Sequence, residues 1–234
     1  MTTNLLVNIE KLNVAVIVAA GSGTRFGEDK IFMEIEKKPI WYYSAQAFQL
    51  AERVDEIVMV VKEERIKQIL EQKEIFGLNK IKNIVVGGNE RCESVRNAIN
   101  LMSKDRTNLL LIHDGARPLV SENLINKCIV EADICGAVVP GILVRDTIKR
   151  GGEFVEETLS RNEIYQIQTP QVFRYDIITR AYENALKNNL NVTDDSSLVE
   201  NLGYRVKIIL GEETNLKITY QNDLELVSFL MSRR

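Results

Sequence analysis

From Val14 to Lys30 the chain reads Val-Ala-Val-Ile-Val-Ala-Ala-Gly-Ser-Gly-Thr-Arg-Phe-Gly-Glu-Asp-Lys. An unbroken apolar run stops in a small glycine-rich loop, which then presents Arg25 and Lys30. A strand buried on both faces reads as such a run, because helices cover both sides of a parallel sheet. Glycines at its end let backbone N–H groups come close to an anion. Two cations just beyond point to a polyphosphate.

Several readings compete for this loop. A phosphate loop of the NTPase kind needs Gly, four residues, then Gly-Lys-Ser/Thr. Neither Gly21 nor Gly23 is followed by Gly-Lys at that distance, which excludes it. A dinucleotide fingerprint needs Gly-x-Gly-x-x-Gly and an acidic residue closing the second strand. Phe26 stands where the third glycine belongs, and Lys62-Glu63 follows the second apolar run, so the match is a near-miss. A nucleotidyltransferase loop wrapping a bound triphosphate fits better, its Arg and Lys neutralising charge on the attacked phosphorus. A plain strand-to-helix connection with two solvated cations stays open on the loop alone.

Repeated strand and helix patterns set the loop in a frame. Strands are expected at Asn13–Ala19, Ile57–Val61, Ile81–Val86, Leu109–Ile112, Gly136–Val144 and Val206–Leu210. Helices are expected at Pro39–Glu52, with Pro39 in the first turn, and at Glu63–Phe76, with Ile66, Ile69 and Leu70 on one face. Others follow at Cys92–Ser103, from an N-cap at Ser121 to about Cys135, and at Arg174–Lys187. Thr193–Asn201, capped by Thr193-Asp194, and Gln221–Ser232, with Leu224, Val227 and Met231 inward, complete the set. The alternation predicts an α/β, Rossmann-like, doubly wound and mostly parallel sheet. Its 234 residues fit one domain, 1–234, with Thr147–Ile167 as short β-like pieces of an arm projecting within 145–168.

Ligands on such sheets bind beyond the carboxyl ends of strands. Four loops there carry polar or glycine residues: Ala20–Lys30, Gly87–Ser94, His113–Pro118 and Arg145–Thr147. Asp114 can hold a divalent metal through hard oxygens, or merely cap its turn. Arg117 can clamp a second phosphate, or pair with Asp114. Paired Gly87-Gly88 can let a base or ribose lie on the backbone, with Ser94 adding a hydroxyl, or can form a simple left-handed turn. His113, the single histidine, reads as a hydrogen-bonded turn residue, since phosphoryl-type transfer needs chiefly positioning and charge neutralisation.

A net charge of −3 gives no basic footprint for nucleic acid. No apolar stretch reaches membrane-spanning length. The first residues lack a signal peptide's charged start and long apolar stretch, and Met1 to Lys11 reads as a short arm. Cys92, Cys128 and Cys135 are odd in number and lack metal spacing, and Cys128 and Cys135 are expected to be buried thiols. A reducing cytoplasm fits them.

The blocks in combination resemble a known family. In order they are Ala19-Ala20-Gly21-x-Gly23-x-Arg25 with Lys30, Gly87-Gly88-x-x-Arg91-x-x-Ser94, His113 to Pro118, and Val144 to Lys149. Arg161-Asn162, Gln168-Thr169-Pro170-Gln171-x-Phe173, Thr193-Asp194-Asp195 and Asn215 to Thr219 follow. Nearly the whole chain, from about Asn13 to Leu230, is thus similar to the 2-C-methyl-D-erythritol 4-phosphate cytidylyltransferases. The resemblance implies a nucleotidyltransferase (GT-A-like) fold, in which CTP and methylerythritol phosphate give CDP-methylerythritol and pyrophosphate with Mg2+. It implies that Arg25, Lys30 and Lys217 act on the phosphates. Ala19, Ala20, Gly21, Gly23, Gly88, Asn89, Ser94, Asp114 and Gly115 match nucleotide-binding positions, with Asp114 also at the metal. Arg117, Thr147, Arg161, Thr169 and Thr193 match positions around the polyol phosphate. The arm implies a homodimer in which Thr147 and Arg161 act in trans.

Departures from the family pattern are few. Asp29-Lys30-Ile31-Phe32 stands where Pro-Lys-Gln often precedes an aromatic residue, and Asn89 stands where Asp is usual. Gly141-Ile142-Leu143 lacks a frequent Pro. A ribitol-5-phosphate cytidylyltransferase is the nearest alternative. Ala19-Ala20-Gly21, rather than Ala-Gly-Gly, and the Val-Arg-Asp-Thr-Ile-Lys block favour methylerythritol phosphate. A non-catalytic nucleotide-binding module and a dehydrogenase are the alternatives of other classes.

Overall fold

The leading apolar run forms β1 (Leu12–Val18) in a computed structural model that describes residues 11–21, 29–190 and 192–233. Gly23 and Arg25 lie outside the described residues. A 3-10 turn at Lys30–Phe32 follows, then β2 (Glu34–Ile35), β3 (Lys38–Pro39) and α1 (Ile40–Leu50). Pro39 caps α1 from the end of β3 rather than entering its first turn. Next come β4 (Glu56–Val61), α2 (Ile66–Ile75), β5 (Ile81–Val86), α3 (Arg91–Ile99) and β6 (Thr107–Asp114). His113 and Asp114 therefore close a strand rather than open a turn.

Helix α4 (Glu122–Cys135) starts where Ser121 Oγ accepts the Leu124 N–H and stops at Gly136, whose φ of 86° suits glycine. The chain continues through β7 (Ala137–Leu143), β8 (Ile148–Gly151), β9 (Val155–Leu159), β10 (Tyr165–Ile167) and β11 (Gln171–Arg174). It ends with α5 (Tyr175–Asn188), α6 (Asp195–Asn201, capped by Asp194), β12 (Lys207–Leu210) and α7 (Gln221–Met231).

Eight strands form one sheet in the order β10-β7-β11-β6-β1-β4-β5, with β12 alongside β7. The β6, β1, β4 and β5 pairings are parallel, as expected. Between β6 and β7 lies β11, antiparallel to both, which periodicity does not predict because it is only four residues long. Strand β10 runs antiparallel to the far end of β7, so Tyr165–Ile167 returns to the main sheet. Strands β8 and β9 stand apart as a separate two-stranded hairpin, as do β2 and β3.

Alternation along β1 shows why both faces are covered. Ala15 and Ile17 pack with Trp41, Phe48, Ile69 and Ile125 on one side. Val14 and Val16 pack with Val95, Phe173, Ile178 and Val199 on the other. Leu70 is 46% exposed, so the buried face of α2 centres on Ile69. Cys128 is buried, and its thiol is pushed up to about 12 by that burial. Cys135 is exposed, contrary to expectation. A third cluster of Ile35, Ile40, Leu119, Ile218 and Val227 fastens α7 beside the β2–β3 hairpin.

The ends of β1 and β5 meet closely. A Cβ on Gly87 would lie 2.2 Å from Ala20 Cβ, and one on Gly88 would lie 2.3 Å from Glu93 Cβ. Neither glycine has a positive φ. Their missing side chains make room for Ala20 and Glu93, not for a left-handed turn. Gly87→Ala is expected to destabilise the fold by about 1–3 kcal/mol through overpacking. Ala20→Gly added to it should recover part of that loss in urea unfolding; an undiminished loss would place the cost elsewhere.

Candidate active site

The Asp114 carboxylate ends β6 with three cations around it. Lys217 Nζ is 2.7 Å from Oδ2, Arg91 Nε 3.1 Å from Oδ1, and Arg117 Nε 3.7 Å from Oδ2. Burial raises the pKa of such a carboxyl, but Arg91, Lys217 and Arg117 together outweigh it and hold Asp114 well below the usual carboxylate range. Arg91 reaches on with Nη1 2.7 Å from Asp195 Oδ2. Asp195 is 1% exposed and accepts a hydrogen bond from the Tyr182 hydroxyl. Burial, then Asp195, holds that phenol protonated by raising its pKa. Arg91 thus binds α3 to both β6 and α6.

Two cavities share this charged wall. One, of about 270 Å3, is lined by Ala20, Gly21, Lys30, Gly88, Asn89 and Ser94 together with Arg91, Asp114 and Lys217. The other, of about 490 Å3, is lined by Arg117, Gln168, Thr169, Gln171, Thr193 and Asp194, with the same Arg91, Asp114 and Lys217. Ala19 and Gly115 line neither. They sit behind the wall, with Ala19 N–H bonded to the Val60 carbonyl (2.7 Å) and Gly115 N–H to the Val18 carbonyl (2.9 Å). Thr147 and Arg161 line neither cavity of their own chain. Arg161 instead donates to the Arg145 carbonyl near the hairpin.

Each wall residue is held by local packing. Lys30 opens a 3-10 turn whose Ile31 is buried in the core. Lys217 precedes Ile218, which is fully buried and donates its N–H to the Ala116 carbonyl (2.9 Å). Arg117 donates Nη1 to the Asn215 carbonyl (2.8 Å), and Asn215 Nδ2 donates to the Thr169 carbonyl (2.9 Å). Gln168 donates Nε2 to the Glu212 carbonyl (2.7 Å) and accepts the Glu212 N–H at Oε1 (3.1 Å). The loop after β5 is fixed likewise: Ser94 Oγ accepts from Gly88 N–H (3.1 Å) and Glu93 from Asn89 N–H (2.8 Å). Those N–H groups are already bonded within the protein, so side chains and the loop's surface face the cavity.

Arg91, Asp195, Gln168 and Asn215 were not singled out as site residues from the sequence, although all four stand inside the motif blocks. Their signal was polarity beside an apolar run, which single-residue reasoning does not rank. Among the described residues no group of three or more His, Cys, Asp or Glu gathers to hold a metal. Asp114 offers hard oxygens and stays ionised, which fits Mg2+ bound by one carboxylate plus substrate phosphates.

Comparison with known proteins places the chain among relatives. The family profile described as 2-C-methyl-D-erythritol 4-phosphate cytidylyltransferase matches residues 13–233. A protein of that name from Clostridium tetani is 44% identical over 216 residues, covering 91% of this chain and 87% of the relative. One from Clostridium novyi is 42% identical, covering 92% and 94%. The crystal structure of 4-diphosphocytidyl-2C-methyl-D-erythritol synthase from Anaerococcus prevotii superposes with a TM-score of 0.84 at 30% identity, covering 95% of this chain and 96% of that one.

His113 is fully buried behind the wall, its ring 4.9 Å from that of Phe48. Asp114 N–H donates to Thr169 Oγ1 (3.1 Å), which leaves the hydroxyl proton for His113 Nδ1 (3.0 Å). The network therefore assigns the ring proton to Nε2, which donates to the Arg117 carbonyl (3.2 Å). Burial lowers the imidazole's pKa to about 3. The unfolded chain takes up this proton near pH 6.5, so stability is full above that pH and falls as pH drops towards 3. Between pH 7 and 5 this group alone should cost about 2 kcal/mol in urea unfolding. His113→Gln should lack that slope; equal pH dependence in both proteins would contradict the assignment.

Proposed function

The chain belongs to the 2-C-methyl-D-erythritol 4-phosphate cytidylyltransferase family, and from that premise we propose how it transfers CMP from CTP to 2-C-methyl-D-erythritol 4-phosphate. The observation that carries the reading is the wall of Asp114, Arg91 and Lys217 shared by two cavities. CTP occupies the cavity beside Gly21, Gly88 and Ser94. The polyol phosphate occupies the cavity of Arg117, Thr169 and Thr193. A phosphate oxygen from the second cavity attacks the α-phosphorus, the α–β bridging bond breaks, and pyrophosphate leaves with its electron pair. A phosphate is already ionised, so no side chain need remove a proton, which agrees with a neutral His113 held in structural bonds.

Positioning and charge neutralisation remain for the protein to supply. Lys30 lines the CTP cavity and Lys217 lines both cavities, and Arg25 is assigned to the same charge by its motif. Asp114 would hold Mg2+, which supplies further neutralisation of phosphate charge when bound. Arg117 offers a fork of donors to the polyol phosphate. The β8–β9 hairpin carries Phe154 and Val155, 78% and 64% exposed, at its tip. Their exposure supports a homodimer that brings Thr147 and Arg161 to the neighbouring site. We read residues 1–234 as one domain, placed in the cytoplasm, where Cys92, Cys128 and Cys135 stay unpaired. Among the described residues no helix is long and apolar enough to cross a membrane.

Pyrophosphate release with CTP and each polyol phosphate tests the substrate. Methylerythritol phosphate should be strongly preferred, and a preference for ribitol 5-phosphate would overturn the assignment. Lys30→Ala should lower kcat by about a hundredfold or more, as for loss of one transition-state charge partner. An unchanged kcat would remove Lys30 from the chemistry.

A further inference from the structure

Arg65 stands at the end of a short 3-10 turn, Glu63–Arg65, between β4 and α2. It lines neither cavity. Its guanidinium nevertheless touches both ends of the turn that carries Lys30. Nε lies 3.2 Å from Asp29 Oδ2, one residue before Lys30. Its guanidinium carbon lies 4.4 Å from the centre of the Phe32 ring, two residues after Lys30. Nη1 donates to Gln68 Oε1 (2.9 Å), which ties the same fork to α2. Lys62 Nζ adds a weaker contact to Asp29 Oδ2 at 3.6 Å.

We propose that Arg65 is a positioning residue for the transfer reaction, clamping the Lys30 turn between Asp29 and Phe32. The inference rests on the reading of Lys30 as a charge partner of the phosphates. A planar guanidinium can pair with a carboxylate at its edge while its face covers an aromatic ring, and lysine cannot do both. Below the turn, Ile31 is buried in the core and fixes its height. Arg65 fixes its rotation, because it holds the residues on both sides of Lys30. Asp29 is 15% exposed at its side chain and Arg65 33%, so the pair is partly buried and losing Arg65 costs some stability as well. Its value lies in geometry: a displacement of about 1 Å at a reacting group can cost on the order of a hundredfold in rate.

The test is a cycle of Arg65→Ala and Lys30→Ala on the full chain, with steady-state kinetics and urea unfolding. Arg65→Ala should lower kcat about tenfold and leave KM for CTP within about twofold, while urea unfolding shows a lowered midpoint but a fully folded variant under assay conditions. In the Lys30→Ala background the same change should have no further effect on kcat. An undiminished kcat for Arg65→Ala, with Lys30→Ala strongly impaired, overturns the clamp and leaves the reading of Lys30 intact. An equal loss in both backgrounds also overturns it, because Arg65 then acts without Lys30. Full activity in Lys30→Ala overturns the reading of Lys30, and the clamp falls with it.

Discussion

Taking the Asp114 carboxylate out of water is tolerable only because Arg91, Arg117 and Lys217 surround it. Those three cations come from α3, from the segment after β6 and from the approach to α7. Neutralising one charge thus brings together parts of the chain that are remote in sequence. Arg91 extends the pattern to Asp195 and so to α6 and Tyr182. Three cations then face two buried carboxylates. In the first cavity Lys30, Arg91 and Lys217 outnumber Glu90 and Asp114, an excess that a polyphosphate answers.

The parallel half of the sheet was legible because β1, β4 and β6 are buried on both faces and read as apolar runs. Helix ends were legible where a cap does the work, as at Ser121 and Asp194. Strand β11 was not, since four residues give periodicity nothing to act on and its pairing is non-local. The β2–β3 hairpin was hidden too. Glu36 and Lys37 take φ of 49° and 66° in its turn, a geometry usually given to Asn, Asp or Gly.

The site shows the same division. Asp114, Lys30, Lys217, Arg117, Thr169 and Thr193, each inside a motif block, line the two cavities. The missing side chains of Gly87 and Gly88 leave room for Ala20 and Glu93, and Gly88 also lines the first cavity. A sequence shows that a side chain is missing but not what occupies its place. Nor could spacing reveal that Arg91 spans two carboxylates, because the second belongs to a helix about a hundred residues later.

The Gln168 amide meets Glu212 as one peptide group meets another in a sheet, giving one donor and one acceptor. A single side chain thereby does what a strand would do for the segment ahead of Lys217. Arg117 and Asn215, 98 residues apart, close the same distance. The central β1–β6 pairing closes a comparable loop, since Val18 lies opposite Asp114. Sheet and site therefore draw on the same long-range contacts, and the site is complete only when the last third of the chain, which carries Asn215 and Lys217, is docked.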